Sequence, residues 1–135
     1  MIEDLRNKET MEAVLEFIED GHLVIAGINE KSCLLAKEKI KNFYNIDAQA
    51  QIKYSLETLL KLIISQKLLV GTNGETELIS EVMVSQDSKE NISLIDSLAK
   101  LYINNKITLK QAKSQIEEKD IDTLNKTIMK MRIKK

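Results

Sequence analysis

At 135 residues, with 43% apolar and 30% charged residues and a net charge of −1, the chain is long enough for one domain, or one domain and a small appendage, without a disulfide or metal staple. With no proline and four glycines it is a poor candidate for long flexible linkers, and its lone cysteine, Cys33, excludes an internal disulfide and fits a reducing compartment. No apolar stretch approaches the ~20 residues that span a bilayer, and the acidic start MIEDLRNKET lacks the basic and apolar regions of a signal peptide, so a cytoplasmic protein is expected.

Residues 10–20, TMEAVLEFIED, predict a helix. Thr10 can cap it, Met11, Val14, Leu15 and Ile18 share one face, and Gly21 can end it. The run HLVIAGI, 22–28, is short, apolar and branched, which predicts a strand buried on both faces. Ser32 opens a second helix with Leu34, Leu35, Ile40 and Phe43 on its apolar side and Asn45 as its stop. Asp47 caps the best-patterned helix, 48–66, in which Ile52, Leu56, Leu59, Leu60, Ile63 and Ile64 follow steps of four and three.

KLLV, the turn signal GTNG and ELISEVMV read next as two strands joined by a hairpin at 71–74. The remainder is helical. Residues 91–104 place Ile92, Ile95, Leu98, Leu101 and Tyr102 on one side. Thr108 and Gln111 form a T-x-x-Q capping box, and a last helix starts near Asp120 or Asp122 and presents Leu124, Ile128 and Met131. This order gives an α/β fold with a helical cap, part of a larger α/β architecture.

Charge is unevenly spread. Residues 1–30 hold eight acids and two bases; residues 100–135 hold ten bases and four acids. Such poles can remain solvated helix faces, pair within the fold, or pair between copies. The basic tail KTIMKMRIKK could face lipid or nucleic-acid phosphates, but it has no aromatic residue for base stacking, and lysines at a helix C-terminus also satisfy its dipole. The reading therefore disfavours nucleic acid and a membrane surface as partners.

Chemical motifs are sparse. GTNG has two glycines but lacks the lysine and hydroxyl residue of a phosphate loop, so a hairpin turn is the better reading. A thiol–imidazole nucleophile would need Cys33 beside His22, the one histidine, whereas Cys33 at an apolar helix start reads as a buried structural residue. No residue spacing suggests a metal site, and no cofactor is expected.

Five collinear segments together resemble the hexameric ATPases that retract type IV pili, the PilT family, and more loosely their relatives in type II secretion. EDLRNKET is similar to the family's acidic stretch with a central arginine, which closes the nucleotide site. EFIEDGHLVIAGINEKS resembles its histidine box, LLKLIISQKLLV the helix ending in isoleucine-serine-glutamine, ELISEVMV the strand that follows, and SLIDSLAKLYINNKITLKQA the C-terminal helical pair. The resemblance implies a partial RecA-like core over residues 1–85 and a helical C-terminal region over 86–135.

The chain also departs from the family. Its resemblance starts just ahead of the second acidic motif, so the phosphate loop and the preceding catalytic acidic box have no counterpart. Asp4 stands where the family has a glutamate, Arg6 matches, and Asn7 replaces an acid. His22 matches the first histidine of its box and Asn29 takes the place of the second. After Val84 the segment is shorter than the family's.

The resemblance makes Asp4, Arg6 and His22 candidate remnants of a nucleotide site, with no catalytic residue assigned. Phosphoryl transfer requires a cradle of backbone N–H groups, a lysine, held Mg²⁺ and a positioned water, so the isolated chain is expected to have no ATPase activity. The expected function is protein–protein interaction, with a full-length pilus or secretion ATPase or with another copy. The alternatives are half of a split ATPase completed in trans and a small regulator acting through the basic tail.

Overall fold

A computed structural model describes residues 1–84 and 89–133. The chain divides into two compact units, Met1–Ile63 and Ile64–Lys135. The expected border at 85/86 lies outside the described residues. The packing border at 63/64 places the predicted hairpin with the C-terminal helices. The fold is mixed helix and strand and rich in helix, as expected for a partial α/β core.

The first unit is built on three helices, α1 (Lys8–Glu19), α2 (Cys33–Asn42) and α3 (Ile46–Leu59). Each starts on a side-chain cap: Asn7 accepts from the Thr10 amide, Ser32 from Leu35 and Asn45 from Ala48. Asn7 thus does the work expected of Thr10, and Asn45 opens α3 where it was expected to close α2. Met11 and Val14 of α1, Ile40 of α2 and Ile52 and Leu56 of α3 meet Leu5 and Tyr44 in one core cluster.

On α2 the buried face is Cys33, Ala36 and Ile40, while Leu34 and Leu35 point to solvent. The expected stripe shared only Ile40 with this buried face, because Ala36 and Cys33, four and seven residues ahead of Ile40, are the positions that helical spacing returns to its side. The α3 prediction overran its end. Leu60 turns extended at ψ 118°, and the chain enters β1 (Ile63–Val70). The spacing of Leu59, Leu60, Ile63 and Ile64 suits a helix, but adjacent branched isoleucines with a partner strand available form a ladder instead.

In the second unit β1 pairs with β2 (Thr76–Met83) through a turn at 71–74. Gly74 donates to the Gly71 carbonyl at 3.1 Å, and Gly71 donates to Glu75 at 2.7 Å. With Gly74 at φ +81° this is a type I turn closed by a glycine bulge. With Gly71 opposite Glu75, Leu68 falls opposite Leu78 and Ile64 opposite Val82 on one face. Ile79 on the other face is fully buried against α4 (Leu94–Ile103).

Helix α4 packs on α6 (Ile121–Ile133), which follows the short α5 (Leu109–Lys113) and a single 3-10 turn at 118–120. Leu98, Ala99, Ala112 and Leu124 are completely buried with Ile79. Reciprocal capping boxes start α4 (Ser93 and Asp96) and α5 (Thr108 and Gln111). Ile92, assigned by its spacing to the α4 stripe, lies ahead of the helix and bridges Val82. No helix among the described residues is long and apolar enough to cross a membrane.

Candidate functional site

The two segments that carry the candidate site residues lie side by side in the first unit. Residues 1–6 run parallel to residues 22–28, with a bridge between Ile2 and Ala26. Ile2 donates to the Ile25 carbonyl at 2.8 Å, Gly27 donates back to Ile2 at 2.9 Å, and Leu5 donates to Gly27 at 2.7 Å. Glycine is required at 27 by proximity: a Cβ there would sit 2.4 Å from the Glu3 carbonyl oxygen. Leu5 anchors the stretch by burying its side chain in the core cluster.

The expected strand at 22–28 is therefore reduced to one isolated bridge, and it is not buried on both faces. Val24 and Ile28 pack on the helical cluster, whereas Leu23 is 84% and Ile25 63% exposed. A two-sided strand needs a neighbour on each edge and a layer on each face, and residues 1–6 with the three helices supply one of each.

Arg6 Nε donates to Asp4 Oδ2 at 2.6 Å, with the arginine side chain 77% exposed. Pairing two residues apart on an exposed loop contributes little to stability, but it neutralises the arginine and holds it beside its own acid. Asn7, in a position where the family has an acid, is committed to capping: its Oδ1 accepts from both the amide and the hydroxyl of Thr10.

His22 ends a helix. Gly21, at φ +87°, donates to Ile18 at 2.9 Å, and the His22 amide donates to Phe17 at 3.0 Å, which is a Schellman cap. The apolar contact typical of that cap is the imidazole ring tilted against Phe17, with centroids 6.1 Å apart. Cys33 is fully buried, and its Sγ donates to the Ile63 carbonyl. The structure pairs the segment of Asp4 and Arg6 with that of His22, but the parallel register, with Ile2 at Ala26 and Leu5 at Gly27, sets Asp4 and Arg6 at the end away from His22, and His22 is not coupled to Cys33. Asn29 contributes its carbonyl to Lys39, which also pairs with Glu30 at 3.2 Å.

In the second unit three of the four amides of the GTNG turn, those of Gly71, Thr72 and Gly74, are occupied. Besides the two bonds that close it, Thr72 donates from its amide to Lys106 at 2.9 Å and from its hydroxyl to Asn105 at 2.8 Å, and Glu75 donates to Asn73. A phosphate cradle needs such N–H groups free and convergent, so this turn is a structural joint. The acceptors belong to another Schellman cap, at the end of α4, with Asn105 at φ +58°, Asn105 donating to Tyr102 and Lys106 to Leu101.

Lys106 Nζ lies 3.1 Å from Glu77 and 3.8 Å from Glu75, and its pKa is raised chiefly by the hydrogen bond to Glu77. The sequence reading missed this joint, although the Asn-Asn-Lys step after a helical stripe is a C-cap signal. In the basic tail Arg132 lies over the Tyr102 ring at 5.6 Å, so that cation is engaged within its own unit; Lys134 and Lys135 lie outside the described residues. Among the described residues no group of three or more His, Cys, Asp or Glu could hold a metal ion.

No protein-family profile matches the chain. It is 33% identical over 75 residues to the type IV pilus ATPase PilU of Pseudomonas aeruginosa, covering 56% of this chain and 20% of PilU. Over 102 residues it is 24% identical to the type IV pilus retraction ATPase PilT of the same organism, covering 76% of this chain and 30% of PilT. Among solved structures it superposes on the pilus retraction motor PilT with bound ADP at a TM-score of 0.79 and 24% identity, over 89% of this chain and 40% of the motor.

The fold is that of part of a pilus motor ATPase. The chain is similar to part of the PilT-like ATPases, and it spans less than a third of the length of either curated relative.

Proposed function

We infer that this chain is a PilT-like protein that works through protein–protein contacts and does not turn over ATP by itself. The observation that carries the reading is the open face of the hairpin. Ile64, Leu68, Val70 and Leu78 share one side of the β1–β2 ladder, and each is about half exposed or more. An apolar sheet face of this kind is an interaction surface in a folded protein or an aggregation liability in an unpartnered one. The partner is a PilT-like ATPase or another copy. The same reading keeps the chain in the cytoplasm, where a free Cys33 persists.

The groups that resemble a nucleotide site support the non-catalytic half of the reading. Arg6 is held by Asp4, His22 by its helix cap and the Thr72 amide of GTNG by the α4 terminus. Purified chain with Mg-ATP is expected to release phosphate no faster than buffer, and light scattering is expected to give a mass that rises above 15.4 kDa with concentration. Micromolar Mg-nucleotide binding with phosphate release by the chain alone would overturn the reading.

A second reading is a nucleotide site completed in trans. It is favoured by the exposed Arg6 side chain on a segment hydrogen-bonded beside that of His22. It predicts ATP hydrolysis on mixing with a chain that carries a phosphate loop, and loss of that activity in Arg6→Ala.

A further inference from the structure

We propose that the outer edge of residues 22–28 is a self-pairing edge, on which a second copy of this chain adds the same segment antiparallel about a two-fold axis at Ile25. The inference rests on the reading that the chain works through protein contacts, and it names the surface and the partner.

The inner edge of this segment is taken up at its Ile25–Gly27 end. Ile25 and Gly27 direct their polar backbone groups at residues 1–6 in the three hydrogen bonds between the segments. By the alternation of extended chain, the N–H and C=O groups of Val24 and Ala26 point the other way. Among the described residues those groups have no hydrogen-bond partner. Ala26 is exposed, as are Leu23 and Ile25, two of the most exposed large apolar residues of the first unit.

Natural sheets guard free edges with lysine, proline, bulges or inward charges, and HLVIAGI holds no lysine, proline or acid. An edge so composed is suited to receive a strand.

A second copy fits this edge in the register with the two-fold axis at Ile25. With Ile25 on the axis, Val24 of each copy faces Ala26 of the other, and the two exchange both of their hydrogen bonds. The outward N–H and C=O groups of Val24 and Ala26 are then satisfied. Leu23 falls opposite Gly27 and Val24 opposite Ala26, so a large residue meets a small one on each side of the axis, and no charged residue faces another within the segment. A closed two-fold contact consumes the edge in both copies and stops there, which avoids open-ended stacking. The contact is small, so the association is weak and concentration-dependent.

The register makes a geometric prediction. Ile25 forms a non-hydrogen-bonded pair with itself across the axis, with Cα atoms about 4.5 Å apart, inside the range a disulfide spans. Leu23, four residues from its axial mate Gly27, is roughly 14 Å from its own copy. Native Cys33 is fully buried, so a single introduced cysteine is the one accessible thiol.

Under mild oxidation the full chain carrying Ile25→Cys is expected to become mostly covalent dimer, at least tenfold faster than Leu23→Cys, although Leu23 is the more exposed residue. Adding Ala26→Lys, which places a charge at the centre of the edge, is expected to slow the Ile25→Cys crosslink about tenfold with the circular dichroism spectrum unchanged. Equal crosslinking at 23 and 25 would overturn the proposal in favour of random collision.

A dimer by light scattering without an Ile25→Cys crosslink would overturn the edge and leave the interaction reading standing. A strict monomer with no crosslink, alone or mixed with a PilT-like ATPase, would remove both.

Discussion

The two units cover extended chain with helices to different degrees, a β-hairpin in the second and two segments joined at a single bridge in the first. In the second, Ile79, Leu98, Ala99, Ala112 and Leu124 have no exposed surface, and the hairpin is bolted to the end of α4 through Thr72 and Lys106 and to α5 through Gln111, whose side chain donates to the Val70 carbonyl at 2.7 Å. In the first, the large core side chains keep a few per cent of their surface open, and the segments that resemble a nucleotide site are joined by three backbone hydrogen bonds beside an unpaired edge. The second unit is the better-finished fold. The first carries the features that invite a partner.

The same substitution placed in each unit measures that difference. Leu98→Ala opens a cavity in a core with no solvent face and is expected to cost about 4 kcal/mol, near the upper end for this change. Leu56→Ala in the first unit lies where neighbours can relax toward solvent and is expected to cost about 2–3 kcal/mol. Chemical denaturation followed by amide exchange resolved along the chain separates the two. Equal costs would mean that the first unit is as tightly packed as the second.

Next in size is Gly27→Ala. The new methyl collides with the Glu3 carbonyl, a backbone atom that cannot swing away, so residues 1–6 must shift at about 1–3 kcal/mol. The Leu5 amide, bonded to Gly27, is expected to lose its exchange protection while amides of α4 and α6 keep theirs. Loss of protection in both units together would show that they unfold as one.

Much of the second unit was readable because its signals are local. Thr108 and Gln111 sit at capping-box spacing, GTNG contains its own turn chemistry, and Leu124 and Ile128 repeat at one face of α6. The first unit was read less well because its outcomes depend on distant neighbours. Whether HLVIAGI becomes a two-sided strand depends on what lies along its second edge, and no pattern within seven residues encodes that. Ile63 and Ile64 continue a helical stripe on paper, and β2, more than ten residues away, draws them into a ladder.

For the candidate site, the residue types were legible and their engagements were not. The sequence places a histidine after a glycine; the Schellman cap and the contact with Phe17 appear once α1 is built.

Caps give the next smaller test. Thr108→Ala removes the acceptor for the Gln111 amide and frees a side chain that also holds the Val70 carbonyl, so it is expected to cost about 1–2 kcal/mol. Asn7→Ala removes a cap that holds only its own first turn and is expected to cost about 1 kcal/mol. The ordering follows from the hairpin's second attachment, and reversing it would mean that the joint between β1 and α5 adds nothing.

The smallest effect is alkaline and sits at Tyr44. Its hydroxyl is buried with no hydrogen-bond partner among the described residues, and its pKa is raised above 10.0 by burial first and by the nearby Glu12 carboxylate second. A raised folded-state pKa means that the unfolded chain gives up this proton first. Stability is then complete below pH 10.0 and declines as pH climbs from there through the raised value. Lys106 acts with the same sign in the other unit, above 10.5, as its pairing with Glu77 is lost.

Tyr44→Phe separates the two effects. It removes a buried hydroxyl without a partner, so at neutral pH it is expected to leave stability unchanged or slightly raised. It should also flatten the alkaline decline of first-unit amides while leaving that of β1, β2 and α4 as it was. A destabilised Tyr44→Phe at neutral pH would mean that the hydroxyl has a partner, and would place a bound water or a second chain against the first unit's core.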